Sequence, residues 1–205
     1  MGTPQRVWLF ILLGLSLLLL GPPRARAVVI GPGSCVTGTD VCTGNTGDIG
    51  TKSCNGDHAC FDNTGRIHNH ACTGSFACDG NTGAVDNNSC KGVEACVVNI
   101  ASVGIHSCIG VAACFENVGA SVGNGSCQGK DACTFNSGAV GASSCKGVVA
   151  CDGNSAPVGN NSILFGTKFD GVLRRISVNL TTGDFHISRK NGDFCVDNEA
   201  KSALC

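Results

Sequence analysis

Cysteine is the residue through which this sequence could do most chemistry, with 16 of them in a chain of 205. A thiolate can ligate metal, attack as a nucleophile or pair into a disulfide, and spacing discriminates among these uses. Fourteen of the cysteines form a regular series: Cys35/Cys42, Cys54/Cys60, Cys72/Cys78, Cys90/Cys96, Cys108/Cys114, Cys127/Cys133 and Cys145/Cys151. Cys195 and Cys205 stand apart near the C-terminus. Zinc would have to use Cys54, His58 and Cys60, with His68 and His70 further on. Structural zinc favours C-x2–4-C pairs of reduced thiolates. The wider spacing seen here recurs where no histidine is near, so the histidines read as solvated and no metal site is expected.

Parity then argues for the pairing. Each column of the series holds seven cysteines, an odd number. Pairing down a column would leave one thiol over in each, whereas pairing within each unit leaves none. A disulfide needs Cα atoms about 5.5 Å apart, which a narrow coil provides. One disulfide per unit is predicted, with Cys195 paired to Cys205.

The remaining candidates are weaker. Asp57, Asp62, Asp79 and Asp86 lie near glycines but share no column, as a repeated calcium roll would require. Asp62 and Glu116 do share a repeat position, three units apart. At the strand spacing that is about 14 Å, beyond the roughly 5–9.5 Å between paired glycosidase carboxylates. No H-E-x-x-H occurs, and no G-x-S-x-G elbow is expected. No residue is assigned a catalytic role, and no cofactor is expected. Asn87, Asn124, Asn160 and Asn179 head N-x-S/T sequons, which arise easily by chance in an asparagine-rich repeat.

These residues are positioned by a repeat of about 18 residues, S-C-x-G-x-x-A-C-x-x-N-x-G-x-V-x-x-x, running from Ser34 to Asn161. The first and fifth units carry one extra residue each. An asparagine column runs Asn45, Asn63, Asn81, Asn99, Asn117, Asn136, Asn154, and an aliphatic column runs Ile49, Ile67, Val85, Val103, Val122, Val140, Val158. Small residues recur every six positions, as at Ser53, Ala59, Gly65 and Ala71. A short coil cannot bury its apolar face alone, so neighbours must stack. In register, each column becomes a ladder at the strand spacing of about 4.8 Å. Stacked asparagine amides can donate to one neighbour and accept from the other. Glycine suits the corners, and the six-residue beat suggests three short sides per coil.

Composition supports this reading. The chain has 30 glycines, no tyrosine and nine phenylalanines, and its only tryptophan is Trp8. So few large apolar groups bury little area, leaving disulfides to brace the fold. The formal net charge is −1 and there is no basic run, which argues against nucleic-acid binding. Residues 1–27 read as a signal peptide: Arg6, the apolar stretch Val7–Leu20, Pro22-Pro23, and the cleavage site Ala25-Arg26-Ala27. The mature chain then starts at Val28 as a secreted, extracellular protein with no membrane anchor, in a compartment that favours disulfides.

From Ile163 the repeat stops. The alternating runs Arg175–Leu180 and Asp184–Arg189 flank Thr181-Thr182-Gly183, which predicts a β-hairpin. The expected organisation is a leader at 1–27, a cysteine-rich β-solenoid over 28–161 and a C-terminal cap over 162–205. The fold class is all-β, a disulfide-braced parallel β-solenoid of about seven coils with a β-hairpin cap.

Two families resemble the repeat over residues 34–161. The run Val140-Gly141-Ala142-Ser143-Ser144-Cys145 resembles the hexad of left-handed hexapeptide β-helices. The equivalent starts of the other hexads hold Lys91, Gln128 and Lys146, or Phe61, Asp79 and Asp152, where that family places aliphatic residues. The C-x5-C spacing resembles the disulfide-braced antifreeze solenoids of beetles, whose coil is shorter and whose Thr-x-Thr face is absent here. The resemblances imply an architecture and transfer no function.

Three function classes follow. A structural or surface-interaction protein, partnered by extracellular glycan, matrix or another protein, fits a fixed frame with varied outward sites such as Asn55, Thr73, Lys91, Ile109, Gln128 and Lys146. An ice- or crystal-binding protein needs a flat array, which Thr46, Thr64 and Thr82 begin and Ile100, Val118, Ser137 and Ser155 dilute. A carbohydrate-binding or carbohydrate-active protein would need a site that the sequence does not display.

Overall fold

The computed structural model describes residues 27–119, 121–169, 172–179, 185–188, 194–196 and 202–203, with side chains as far as Ser162. The predicted leader up to Arg26 lies outside these residues. So do Ala120, the predicted turn Thr181–Gly183, and Cys205 with its predicted bond to Cys195.

The repeat folds one unit per coil. Glycine and polar residues break up any long strand, so the coils meet through single parallel bridges rather than extended ladders. One series of bridges follows the aliphatic column: Ile30↔Ile49, Ile49↔Ile67, Ile67↔Val85, Val85↔Val103, Val103↔Val122, Val122↔Val140 and Val140↔Val158. A second follows the residue after the first cysteine: Asn55↔Thr73, Thr73↔Lys91, Lys91↔Ile109, Ile109↔Gln128 and Gln128↔Lys146. Three short sides were expected, and the parallel bridges from coil to coil follow these two columns.

Between bridges the backbone groups are still paired, because buried N–H and C=O groups left unpaired are costly. They pair with the coils above and below. In the fourth coil, the N–H groups of Cys90, Cys96, Ile100 and Gly104 donate forward to Ser107, Ala113, Asn117 and Val122 at 2.8–3.0 Å. Those of Gly92, Glu94, Val98 and Val103 donate back to Thr73, Ser75, Asp79 and Ala84 at 2.8–2.9 Å.

The corners differ from the glycine corners that were expected. Both cysteines of every pair are themselves left-handed, for example Cys90 at φ 53° and Cys96 at φ 60°. So are residues such as Glu94 and Asn88. A non-glycine residue resists this conformation, and it recurs here because each coil clamps the next. Glycine is indispensable at a narrower point, the fourth position of the unit. Gly92 has φ 135°, a conformation effectively closed to other residues, and a Cβ there would collide with the Gly110 carbonyl of the next coil.

The core is a thin column of disulfides, alanines and the aliphatic series. Seven disulfides join Cys35–Cys42, Cys54–Cys60, Cys72–Cys78, Cys90–Cys96, Cys108–Cys114, Cys127–Cys133 and Cys145–Cys151, with Cα separations of 5.5–5.8 Å. Ile67, Val85, Val103 and Val122 belong to the same buried cluster, at 0–2% exposure.

After the last coil come five strands: β1 (Ser162–Phe169), β2 (Val172–Asn179), β3 (Phe185–Ser188), β4 (Phe194–Val196) and β5 (Ser202–Ala203). They form one antiparallel sheet in sequence order. β2 and β3 pair with Val178 opposite Phe185 and Ile176 opposite Ile187. The sheet extends beyond a hairpin, since β1 pairs along its whole length with β2 and β4 adds to β3.

Candidate functional site

The asparagine and serine columns face inward, and the stack consumes their polar groups. Each ladder asparagine donates from Nδ2 to the Oδ1 of the asparagine one coil earlier. The bonds run Asn63 to Asn45, Asn81 to Asn63, Asn99 to Asn81, Asn117 to Asn99, Asn136 to Asn117 and Asn154 to Asn136, at 2.7–3.0 Å. The second amide hydrogen turns to a carbonyl two residues on, as from Asn81 to Gly83 and Asn99 to Ala101, both at 2.8 Å. From Asn63 to Asn154 the column is sealed from solvent. Buried amides with their hydrogen bonds made are structural groups.

Two further ladders escaped the sequence reading. The serine before each first cysteine was counted only as small, yet its hydroxyl bridges coils. Ser107 Oγ donates to the Gly123 carbonyl at 2.8 Å and accepts the Ser126 N–H at 3.2 Å. Ser126 does the same with Gly141 and Ser144. The signal was in the sequence: serine, and not merely a small residue, occupies Ser34, Ser53, Ser89, Ser107, Ser126, Ser144 and Ser162, with Ala71 the exception. The other ladder is made by Asn69, Asn87, Asn124 and Asn160. Their Oδ1 atoms accept the N–H groups of Thr51, Asn69, Ile105 and Ala142 in the preceding coils, at 2.8–3.0 Å.

The sulfurs are also spent. Sγ atoms of neighbouring coils, such as Cys60 with Cys72 and Cys78, lie within 4.8 Å of one another. As disulfides they are not thiolate ligands, so Cys54 and Cys60 cannot join His58 in a zinc site.

The richest outward cluster surrounds His58. Its Nε2 lies 3.6 Å from Asp40, and its ring stacks on Phe76 with centroids 4.9 Å apart. Its Nδ1 is buried without a hydrogen-bond partner. Nearby, burial first and the Asp62 carboxylate second raise the Asp79 carboxyl above its ordinary value, while His58 opposes them. The structure thus brings together His58, Asp62 and Asp79. It keeps Asp57, which binds Thr39, and Asp86, which lies 3.6 Å from His68, in separate places. Among the described residues no group of His, Asp or Glu converges as metal ligands would.

Gly119-Ala120-Ser121-Val122-Gly123 spells G-x-S-x-G. A nucleophile elbow needs a strand-to-helix turn. Val122 here is an ordinary aliphatic bridge residue, and no helix occurs among the described residues.

The outward column Thr46, Thr64, Thr82, Ile100, Val118, Ser137, Ser155 is exposed throughout and carries no charge. Ile100 and Val118 give its central stretch an apolar character, and Val98 and Phe135 stand exposed two residues before it in their coils, all at 47–56% exposure. The concave places are open grooves, such as that lined by Asp48, Thr51, Arg66 and His68.

A family described as a domain of unknown function, DUF7640, matches residues 54–162 and 81–183. The chain belongs to this family. The two matched ranges overlap within the repeat. No curated protein and no solved structure matches the chain.

Proposed function

We propose that this DUF7640 protein is an exported structural or surface-interaction repeat. In this reading residues 28–161 form a disulfide-braced parallel β-solenoid, and the sheet from Ser162 onward closes its C-terminal end. One observation carries the reading. The inward columns of cysteine, asparagine, serine and aliphatic residues barely vary between coils, while the outward columns do. A frame held constant under a varied exterior suits contact along a length of partner, such as an extracellular glycan, a matrix polymer or another protein. Seven disulfides require an oxidising compartment to form and persist. The apolar stretch Val7–Leu20 with Ala25-Arg26-Ala27 supplies the route to one.

The test is to present the oxidised, secreted protein to an array of glycans and matrix polymers while assaying the same polymers for cleavage. Binding without product supports the proposal. Product release would make the protein an enzyme instead.

Ice or crystal binding is the second reading, favoured by the exposure and lack of charge along the Thr46–Ser155 column. Its threonines stop at Thr82, so thermal hysteresis is expected to be absent. Ice-crystal shaping by the secreted protein would reverse the order of the two readings.

A further inference from the structure

Three of the four sequons fall in one column of the repeat. Asn87, Asn124 and Asn160 occupy the same position in alternate coils, separated by Ile105 and Ala142. In each, the amide oxygen is the atom that the fold uses, accepting a backbone N–H from the preceding coil at 2.8–3.0 Å. Substitution at Nδ2 leaves that oxygen and its bond in place. Asn124 and Asn160 are exposed and Asn87 is half-buried. Alternate coils put successive sites roughly 9–10 Å apart, twice the strand spacing, so that glycans are not stacked one directly on the next.

We infer that Asn87, Asn124 and Asn160 carry N-linked glycans that line one edge of the stack. The inference rests on the export proposed above. The donor class is an oligosaccharide joined through a diphosphate to a lipid carrier. The Asn Nδ2 attacks the anomeric carbon of the first sugar. The bond from that carbon to the diphosphate oxygen breaks, the lipid diphosphate leaves with the electron pair, and the amide nitrogen loses one proton. The transfer takes place on the translocating chain, before Ser89, Ser126 and Ser162 are buried in the serine ladder. The folded coil then holds each modified amide at the surface, apart from the column of Thr46, Thr64 and Thr82.

The repeat contains its own control. Asn69 occupies the same column, is exposed, and caps the Thr51 N–H at 2.8 Å. Ala71 stands where its sequon would need serine or threonine, so Asn69 remains bare.

The experiment expresses the full chain in a eukaryotic secretory host. Protein collected from the medium is treated with peptide N-glycosidase in heavy-oxygen water, which marks each formerly glycosylated asparagine as labelled aspartate. Label at Asn87, Asn124 and Asn160, with none at Asn69, is the expected result. A second variant, Ala71→Ser, completes a sequon at Asn69 and should add one glycan's mobility shift to the secreted protein. Secreted protein with Asn124 and Asn160 unlabelled overturns the inference while leaving export intact. Protein retained in the cell with its N-terminus uncleaved overturns the export on which the inference rests, and the inference with it.

Discussion

Replacing Asn99 by alanine should be among the most damaging single changes in this protein. Asn99 donates to Asn81 Oδ1 at 2.9 Å and to the Ala101 carbonyl at 2.8 Å, and accepts from Asn117 Nδ2 at 3.0 Å. Alanine removes all three bonds and strands one polar atom on each partner, in a site where Asn81, Asn99 and Asn117 are 0% exposed. A buried polar group left unpaired costs about 1–3 kcal/mol. Three such groups would cost about 3–9 kcal/mol, and one water satisfying one of them brings the expected loss to about 2–6 kcal/mol. Asn45 makes the matched comparison. It heads the ladder, is half-buried, donates to Gly47 and accepts from Asn63. Solvent can replace its lost bonds, so Asn45→Ala should cost only about 1 kcal/mol. Both variants would be unfolded in guanidinium with their disulfides intact, followed by circular dichroism. If Asn99→Ala falls within about 1 kcal/mol of Asn45→Ala, backbone pairing and disulfides hold the stack and the amide ladder contributes little beyond filling space.

A middle-coil double substitution, Cys90→Ser with Cys96→Ser, should lower the melting temperature more than Val103→Ala. Val103→Ala removes part of a burial worth at most about 3 kcal/mol, whereas the double change loses the loop constraint and puts two hydroxyls into a fully buried space. A smaller effect for the cysteine pair in thermal melts would mean that the apolar column is the stronger brace. Ala71→Ser, made without glycans in a bacterial oxidising compartment, should raise stability by about 1 kcal/mol. The added hydroxyl would continue the serine ladder toward Ser89; a drop in melting temperature would show that the site cannot admit it. Asp79 gives a pH dependence. Its carboxyl lies above the ordinary value in the folded chain, so folding binds its proton more tightly than the unfolded chain does, and stability falls as pH rises between the unfolded and folded values. Asp79→Asn should therefore raise the melting temperature at neutral pH and lose that advantage in acid; an advantage that persists unchanged at pH 3 would place the cause elsewhere.

Periodicity exposed the inward frame because stacking converts a recurring residue type into a physical contact. Cysteine, asparagine and valine columns could be read that way, since each has one dominant use in a stack. Serine could not. It recurs among alanine and glycine in the six-residue beat, and size alone explains that pattern until the Oγ contacts to Gly123 and Ser126 are seen. The left-handed cysteines were hidden for a different reason. Local preference disfavours that conformation, and only contacts between coils impose it. Asn69, Asn87, Asn124 and Asn160 were obscured because their column is only partly asparagine, with Thr51, Ile105 and Ala142 between them. The candidate outer site was least legible. His58 and Asp62 share one coil, and Asp79 joins them from the next by register, which no local motif records.

The ladders also give the stack a direction, and with it two unlike ends. Asparagine amides donate toward the N-terminus, while serine hydroxyls donate toward the C-terminus. A ladder with a sense must end in a free donor at one end and a free acceptor at the other, and either would invite a further coil from another molecule. The C-terminal end of the asparagine ladder bends back on its own coil, where Asn154 Oδ1 accepts the Ala156 N–H at 3.3 Å. The serine ladder ends differently. Ser144 Oγ accepts the Ser162 N–H at 3.1 Å, and the Ser162 carbonyl accepts the Cys145 N–H at 2.9 Å. Ser162 is the first residue of β1, so the last rung of the stack is the first rung of the antiparallel sheet. At Ser162 the chain thus passes from the parallel pairing of the coils to the antiparallel pairing of β1 with β2, and the two outward groups bonded there are satisfied within the same chain.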